Sequence, residues 1–327
     1  AQAYLLFTVS LVLVIAISPL IQSRSIIIGL AVTEILLILF PAILFVRSKK
    51  LQLRNALQLS PLAPSVVIFS IFVGLTSWGV AAGIYVLSQS IIGQPPTLDA
   101  LAPKTFPGLI GLLFSGALLA GICEETLFRG AIQGVLSRNG QMRSVIITAL
   151  LFAIFHVNPW VLLPAFFLGI VFGTLVVKTG SIFPAIIAHV FNNVMAFSVS
   201  YFYAGQPDSS VYWLMGVLAA GWVIGLSVLI FGGRDSKPEI SPLSKVSAGL
   251  KRPVAWAAGI AGGALLVFIV GMTILILLFI GTHTVSDESL EPDAFKGDQL
   301  VIFKSGLVEL DLEPGDIVSY SRNDRIL

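Results

Sequence analysis

The sequence predicts an all-α polytopic membrane protein with about eight transmembrane helices plus a ninth, followed by a small β-rich extramembrane segment at the C-terminus. Of the 327 residues, 56% are hydrophobic and only 11% are charged, whereas soluble domains carry about 25% charged residues. Apolar runs of about 20 residues, the length that spans the hydrocarbon core of a bilayer, recur along the chain. These observations exclude a water-soluble enzyme, a nucleic-acid-binding protein and a disordered chain.

The apolar runs predict the order of the helices. A ninth run, at residues 254–280, follows the first eight after an interruption. The fifth run is short and ends in Val157-Asn158-Pro159, so we expect it not to cross the whole bilayer by itself. The first eight runs cover residues 3–21, 26–46, 64–92, 107–137, 143–156, 161–177, 182–203 and 211–231.

The basic residues predict how the helices are oriented, because positively charged loops stay on the cytoplasmic side of a membrane. The loops that follow odd-numbered runs carry only two basic residues, Arg24 and Lys104. The loops after even-numbered runs carry Arg47, Lys49, Lys50, Arg54, Arg138, Arg143, Lys178, Arg234, Lys237, Lys245, Lys251 and Arg252. We therefore expect a cytoplasmic N-terminus and an extracytoplasmic C-terminal segment, in a prokaryotic plasma membrane.

Three segments follow the predicted eight-helix domain of residues 1–231. Residues 232–253 are polar and basic and contain Pro and Ser, which is typical of a linker between domains. Residues 254–281 are predicted to form a transmembrane anchor. Residues 282–327 are acidic, with β-branched residues between Gly-Asp turns, which indicates a small β-rich unit outside the membrane. Because the chain begins with Ala, we expect some N-terminal sequence to be missing.

The fourth run places three ionisable residues, Glu124, Glu125 and Arg129, inside the membrane. Each charge at the bilayer centre costs about 2.5–3.5 kcal/mol on insertion scales. Glu125 and Arg129 are four residues apart and can pair on one helix face, which leaves Glu124 without a local partner. A carboxylate in a low-dielectric pocket can act as a general base or acid. The alternative is a buried clamp that only ties helices together, and Glu34, in the second run, is interpreted as a helix-packing residue.

Two of the three histidines also lie within apolar runs. His156 ends the fifth run, and His189 lies in the seventh, four residues before Asn193. A single intramembrane histidine more often makes a hydrogen bond between helices than takes part in catalysis. Two histidines, an unpaired glutamate and an asparagine on different helices supply a base, an orienting partner and neutral donors for an oxyanion.

Two other chemistries stay open at this point. Two histidines and one glutamate are a ligand set that catalytic zinc uses, although the His-Glu-x-x-His pattern of zinc peptidases is absent. We expect no cofactor, with zinc as the alternative. The single cysteine, Cys123, excludes a disulfide framework. A lone cysteine in an apolar helix is usually a small buried hydrophobic residue rather than a nucleophile.

Three short motifs, taken in order, resemble those of a known family. They are Glu-Glu-x-x-x-Arg at 124–129, Phe-x-x-x-His at 152–156 and His-x-x-x-Asn at 189–193. They are similar to motifs of the CAAX prenyl protease 2 and lysostaphin-resistance-protein-A-like family, the glutamic intramembrane endopeptidases. The resemblance covers residues 1–231 and implies an eight-helix fold.

The resemblance also implies a role for each motif residue. It implies that Glu124, with His156, activates a water molecule for attack on a peptide carbonyl. It implies that His189 and Asn193 hold the oxyanion. It implies that Glu125 and Arg129 organise the site.

The C-terminal segment carries a second set of motifs, which is similar to the start of a type I signal peptidase. Ser289 matches the position of the serine nucleophile, and the pairs Gly297-Asp298 and Gly315-Asp316 match the strands that follow. The lysine that serves as the base in that family lies beyond the second Gly-Asp pair, and no matching lysine is present before Leu327. We therefore expect this part to be incomplete and inactive as it stands.

Taken together, the sequence predicts intramembrane proteolysis of a membrane-associated peptide or protein substrate, in contact with membrane lipid and without nucleic acid. One alternative is a signal peptidase that acts through Ser289 and carries an accessory membrane domain. The other is a non-catalytic membrane scaffold or immunity protein that uses the same buried polar residues for binding.

Overall fold

The computed structural model describes residues 2–93, 95, 102–203, 209–231 and 243, and four short segments in the C-terminal region: 280–284, 299–303, 321–322 and 325–326. The chain divides into two compact units, Ala1–Gly262 and Gly263–Leu327. The predicted linker, apart from residue 243, and most of the predicted anchor lie outside the described residues.

The described part of the first unit is helical and follows the predicted runs closely. Each of the eight predicted runs corresponds to one helix, and the bounds agree to within two residues at either end. A short additional helix lies between the second and third runs. The helices are α1 Gln2–Gln22, α2 Ile26–Ser48, α3 Leu53–Ala56, α4 Pro64–Ile92, α5 Phe106–Asn139, α6 Gln141–Phe155, α7 Pro159–Thr179, α8 Phe183–Phe202 and α9 Ser209–Phe231.

Seven of the described helices are long and apolar enough to cross a membrane. The exception among the long helices is α6, whose 15 residues extend over about 22 Å at 1.5 Å per residue. This is shorter than the roughly 30 Å of a hydrocarbon core. The protein is therefore an integral membrane protein in which α6, as the sequence predicts, is too short to cross the bilayer by itself.

The helix ends follow local sequence signals. Thr105 caps α5 by accepting a hydrogen bond from the backbone N–H of Gly108 at 3.1 Å. Asn158 caps α7 in the same way, with its side-chain oxygen 3.0 Å from the backbone N–H of Trp160. At its other end α7 stops at Gly180, whose φ of 66° is the left-handed conformation that glycine adopts most readily. These signals fix the lengths of the two helices that meet at the centre of the unit.

Helix α5 lies at this centre. It packs against α1, α2, α6, α7 and α8, and every residue from Glu125 to Leu136 is buried. A helix that is buried on all sides belongs to the protein core rather than to the lipid interface. The part of α5 that carries Glu125 and Arg129 is therefore enclosed by protein on all sides.

The second unit is described only at short β-strands. Strand β1, Ile280–Thr284, pairs antiparallel with β2, Gln299–Phe303. Strand β3, Ser321–Arg322, pairs antiparallel with β4, Arg325–Ile326. The predicted ninth helix ends at Ile280, which lies in β1, and its other residues are outside the described ones. The β-rich domain as a whole stays a prediction.

Candidate active site

The ion pair that the sequence spacing predicts is present in α5. Arg129 Nη1 lies 2.8 Å from Glu125 Oε1, and the exposed fraction of both side chains is 0%. Arg129 Nη2 also donates a hydrogen bond of 3.2 Å to the carbonyl oxygen of Gly169 in α7. The guanidinium carbon lies 4.5 Å from the centre of the Phe152 ring of α6. One arginine thus connects α5, α6 and α7.

A second hydrogen bond joins α5 to α7 one helical turn further along. Gln133 Nε2 donates to the carbonyl oxygen of Gly173 at 3.1 Å. Both acceptors on α7 belong to glycines, four residues apart. A Cβ atom on Gly169 would lie 2.7 Å from the Cα atom of Ala149 in α6, so only a glycine permits this approach of the two helices. The close approach of α6 and α7 fixes the position of the Gly169 carbonyl group, which accepts the hydrogen bond of Arg129.

His189 of α8 joins the two glutamates. Its Nδ1 lies 2.9 Å from Glu125 Oε1, and its Nε2 lies 4.0 Å from Glu124 Oε2. Because a carboxylate that is paired with arginine only accepts hydrogen bonds, we assign the proton to Nδ1, which leaves Nε2 directed toward Glu124. The imidazole stacks on the Phe172 ring, with centroids 5.1 Å apart. Its orientation is therefore fixed from two sides.

Glu124 has no arginine or lysine partner among the described residues, and its ion-pair contact there is the 4.0 Å approach of His189 Nε2. Its Oε2 is buried and makes no hydrogen bond with any described residue. The side chain keeps an exposed fraction of 14%, whereas that of Glu125 is zero. The split between a paired Glu125 and an unpaired Glu124, which the helical spacing predicts, is present in the structure.

His156 lies at the other side of Phe152. It follows the last residue of α6, is exposed, and its Nδ1 lies 2.9 Å from the carbonyl oxygen of Phe152. Since a carbonyl only accepts, Nδ1 carries the proton and Nε2 is free. The Phe152 ring contacts both histidines edge-on, with centroids 4.9 Å from His156 and 5.8 Å from His189. Within the described chain, His156 makes no ion pair with Glu124.

The residue after His156 adopts a strained backbone conformation. Val157 has a φ of 48°, which is a genuine outlier for a β-branched side chain. Strain of this kind costs about 1–3 kcal/mol and is concentrated at functional sites. It ends α6 directly after His156, whose own backbone is still helical.

Asn193 connects α8 to α5. Its Nδ2 donates a hydrogen bond of 3.0 Å to the carbonyl oxygen of Gly116. Its Oδ1 accepts a hydrogen bond of 3.1 Å from Asn192. One of the two N–H groups of the Asn193 amide has no partner among the described residues, so it is available to a ligand as a neutral donor.

Three π-helical segments surround the cluster. Thr33–Leu39 of α2 is one, and Leu113–Leu119 and Thr126–Gln133 of α5 are the others. The two in α5 flank the stretch Ala120–Glu125 that carries both glutamates. Turns of π-helix shift the register of the side chains that follow and are frequent at functional sites.

Two other chemistries considered from the sequence find little support in the geometry. Cys123 has an exposed fraction of 1%, and the charged groups that act on it are the carboxyls of Glu34 and Glu124. Reactive thiolates need positive surroundings instead. Within the described ranges, no three His, Cys, Asp or Glu side chains are arranged to hold a metal ion.

A comparison with known protein families matches the part of the chain that carries these residues. Residues 106–195 match the family model Type II CAAX prenyl endopeptidase Rce1-like. The match runs from the start of α5 into α8 and contains all seven residues that the three motifs specify. No curated protein and no solved structure matches the chain. The family match supports a membrane-embedded peptidase.

The match does not extend to the C-terminal segment. Ser289 and the Gly-Asp pairs also lie outside the described residues. The signal-peptidase-like site therefore has no support from the match and stays a prediction.

Several residues of the site are not evident from the sequence motifs. Phe152 is the ring around which Arg129 and both histidines gather, although the motif gives it no chemical role. Phe172 is an ordinary apolar residue in sequence, and nothing in its neighbourhood identifies the ring that stacks on His189. The sequence does contain a signal for the close packing at the glycines of α7, since small residues four apart are typical of close helix packing in membranes.

Proposed function

We propose that the chain is a glutamic intramembrane endopeptidase in which Glu124 takes a proton from the water molecule that attacks a peptide bond. The observation that carries the proposal is the state of Glu124 Oε2, which is buried, has no hydrogen-bond partner and lies 4.0 Å from His189 Nε2. A carboxylate that is left unsatisfied beside an oriented imidazole is the arrangement expected of a general base.

His189 supplies a positive N–H donor in this mechanism. Its Nδ1–H is held by Glu125, which is itself paired with Arg129. The mechanism requires the form of the imidazole in which Nε2 is also a donor. The oxyanion of the tetrahedral intermediate accepts that hydrogen bond and a second one from the amide of Asn193.

The proton balance requires no further reagent. The water oxygen forms a bond to the carbonyl carbon while its proton moves to Glu124. The same proton then passes to the amide nitrogen as the C–N bond breaks, and Glu124 is again a carboxylate. His156, with its free Nε2 and exposed position, assists by accepting a hydrogen bond from the water or from the substrate.

The proposed substrate is a peptide or protein that lies in or on the membrane. The name of the matched family points to a C-terminal CAAX peptide carrying a prenyl group, so this peptide is the probe of first choice. Membrane lipid surrounds the apolar outer faces of the helices, and no cofactor is assigned a role.

The experiment is cleavage of a fluorogenic prenylated CAAX peptide by the purified protein in detergent micelles. Glu124→Gln keeps the shape of the side chain and removes the base, so we expect kcat to fall by about 10²- to 10⁴-fold. Membrane insertion and thermal unfolding should stay unchanged. Full activity of Glu124→Gln would contradict the mechanism.

Cys123→Ala is the matched control, because Cys123 precedes Glu124 in the same buried segment and has no role in the proposal. We expect full activity from this variant, and loss of activity would favour a thiol mechanism instead. Activity should also resist o-phenanthroline, since a zinc peptidase would be inhibited. If no peptide is cleaved and neither Glu124→Gln nor His156→Ala changes a cellular phenotype, the scaffold alternative is favoured.

A further inference from the structure

Glu34 is a third carboxyl group at the site. It lies in the π-helical segment Thr33–Leu39 of α2, which packs against the Ala120–Glu125 segment of α5. Its exposed fraction is 5%, and its Oε2 makes no hydrogen bond with any described residue. Its carboxyl group is close enough to interact electrostatically with Glu124. Glu34 lies outside the matched residues 106–195, so the family motifs say nothing about it.

The charges of the cluster indicate the protonation state of Glu34. Arg129 provides one positive charge, which is paired with Glu125, and Glu124 adds a second carboxylate to the cluster. Among the described ion pairs, none involves Glu34. A third negative charge in the apolar interior would be uncompensated, which is strongly unfavourable. A proton on Glu34 avoids this further negative charge.

We propose that Glu34, as an uncharged carboxylic acid, is a positioning residue that orients the water molecule on which Glu124 acts. The inference rests on the proposed function. In this arrangement the water donates one hydrogen to Glu124 and the other to the free carboxyl oxygen of Glu34, so that its lone pair faces the carbonyl carbon of the substrate. Only the proton on the Glu124 side is transferred, and Glu34 keeps its own proton throughout.

Two substitutions separate this role from simple helix packing. Glu34→Gln is uncharged, has nearly the same shape and keeps a carbonyl oxygen that accepts the hydrogen bond. We expect its kcat to stay within about threefold of the unsubstituted protein. Glu34→Leu removes the acceptor, and we expect kcat to fall by about 10- to 100-fold while KM changes less than about twofold.

Stability provides the second measurement. Replacing a buried carboxyl group with an apolar side chain is often neutral or stabilising, so Glu34→Leu should unfold at the same temperature or higher. Glu34→Met, with a flexible side chain, takes its place if the branched leucine does not fit. Thr33→Val is the control on the same helix, because it removes the 3.1 Å hydrogen bond from Thr33 to Ser18 in α1 and should leave kcat unchanged.

The assay is cleavage of the prenylated CAAX peptide by each purified full chain. A folded Glu34→Leu or Glu34→Met protein with unchanged kcat would show that Glu34 only packs. A Glu34→Gln protein as impaired as Glu34→Leu would show that the ionisable proton is needed, which also overturns the proposal. Failure of the proposed function itself is seen separately, as full activity of Glu124→Gln.

Discussion

The buried pair of Glu125 and Arg129 allows a quantitative test of what holds the site together. Arg129→Met removes the positive charge and keeps an unbranched apolar chain of similar length. It leaves Glu125, whose exposed fraction is 0%, without the partner that lies 2.8 Å away. Breaking a buried ion pair at one side costs about 3–5 kcal/mol, because the remaining charge is uncompensated. The hydrogen bond to Gly169 is lost as well. We therefore expect Arg129→Met to lower the free energy of unfolding by at least about 3 kcal/mol.

A second substitution, Glu125→Gln, removes the negative charge that Arg129→Met leaves unpaired. Glu125→Gln keeps an oxygen that accepts the hydrogen bond of His189, and it takes away the negative charge. The double variant leaves no unpaired charge at positions 125 and 129, so we expect its free energy of unfolding to recover to within about 1–2 kcal/mol of the unsubstituted protein. The coupling between the two positions is then about 2 kcal/mol or more.

The assay is equilibrium unfolding of the three variants and the unsubstituted protein in mixed dodecyl maltoside and SDS micelles, analysed as a double-mutant cycle. Far-UV circular dichroism reports the helical content, and tryptophan fluorescence reports packing. A loss below about 1 kcal/mol for Arg129→Met would refute the reasoning, as would additive effects of the two substitutions. Either result would mean that water reaches the pair, so that neither charge is truly buried.

Two further predictions concern packing and the histidines. Gly169→Ala should reduce the free energy of unfolding by about 1–3 kcal/mol, because its Cβ would press on the backbone of Ala149. The control is Gly83→Ala, where a Cβ meets nothing within 4 Å, and it should change the free energy of unfolding by less than about 1 kcal/mol. Both are measured by equilibrium unfolding in the same mixed micelles. His156→Ala should lower kcat by about 10²-fold with unchanged unfolding, because the residue is exposed. His189→Ala should lower both kcat and stability, since it contacts Glu125 and Phe172. Equal effects of the two histidine substitutions on stability would contradict this assignment.

The helical architecture could be predicted from the sequence because lipid imposes a simple rule. A spanning segment needs about 20 apolar residues whatever its neighbours are, and the eight runs before residue 232 coincide with helices. Even the shortness of α6 follows from the breaker sequence Val157-Asn158-Pro159. The π-helical segments could not be predicted, since they depend on packing between helices rather than on composition.

The candidate site was only partly accessible from the sequence. Helical spacing is local, so the pairing of Glu125 with Arg129 and the isolation of Glu124 could be derived from residue numbers alone. The contact of His189 with Glu125 joins residues 64 positions apart, and no local rule specifies which face of α8 meets α5. The same limit applies to Glu34, since the packing of its segment against the one that carries Glu124 is a property of the assembled helices.

The central position of α5 has a consequence for how the protein is made. Helices enter the membrane in the order of synthesis, and α5 carries charges that cost about 2.5–3.5 kcal/mol each near the bilayer centre. The carbonyl of Gly169 and the imidazole of His189, which satisfy those charges, belong to helices made afterwards. A nascent chain that stops after α6 therefore holds a polar helix in the lipid, where it is a target for quality-control proteases. On the proposed mechanism, catalytic capacity arises only after α8 has been inserted, so the order of assembly prevents proteolysis by an unfinished chain.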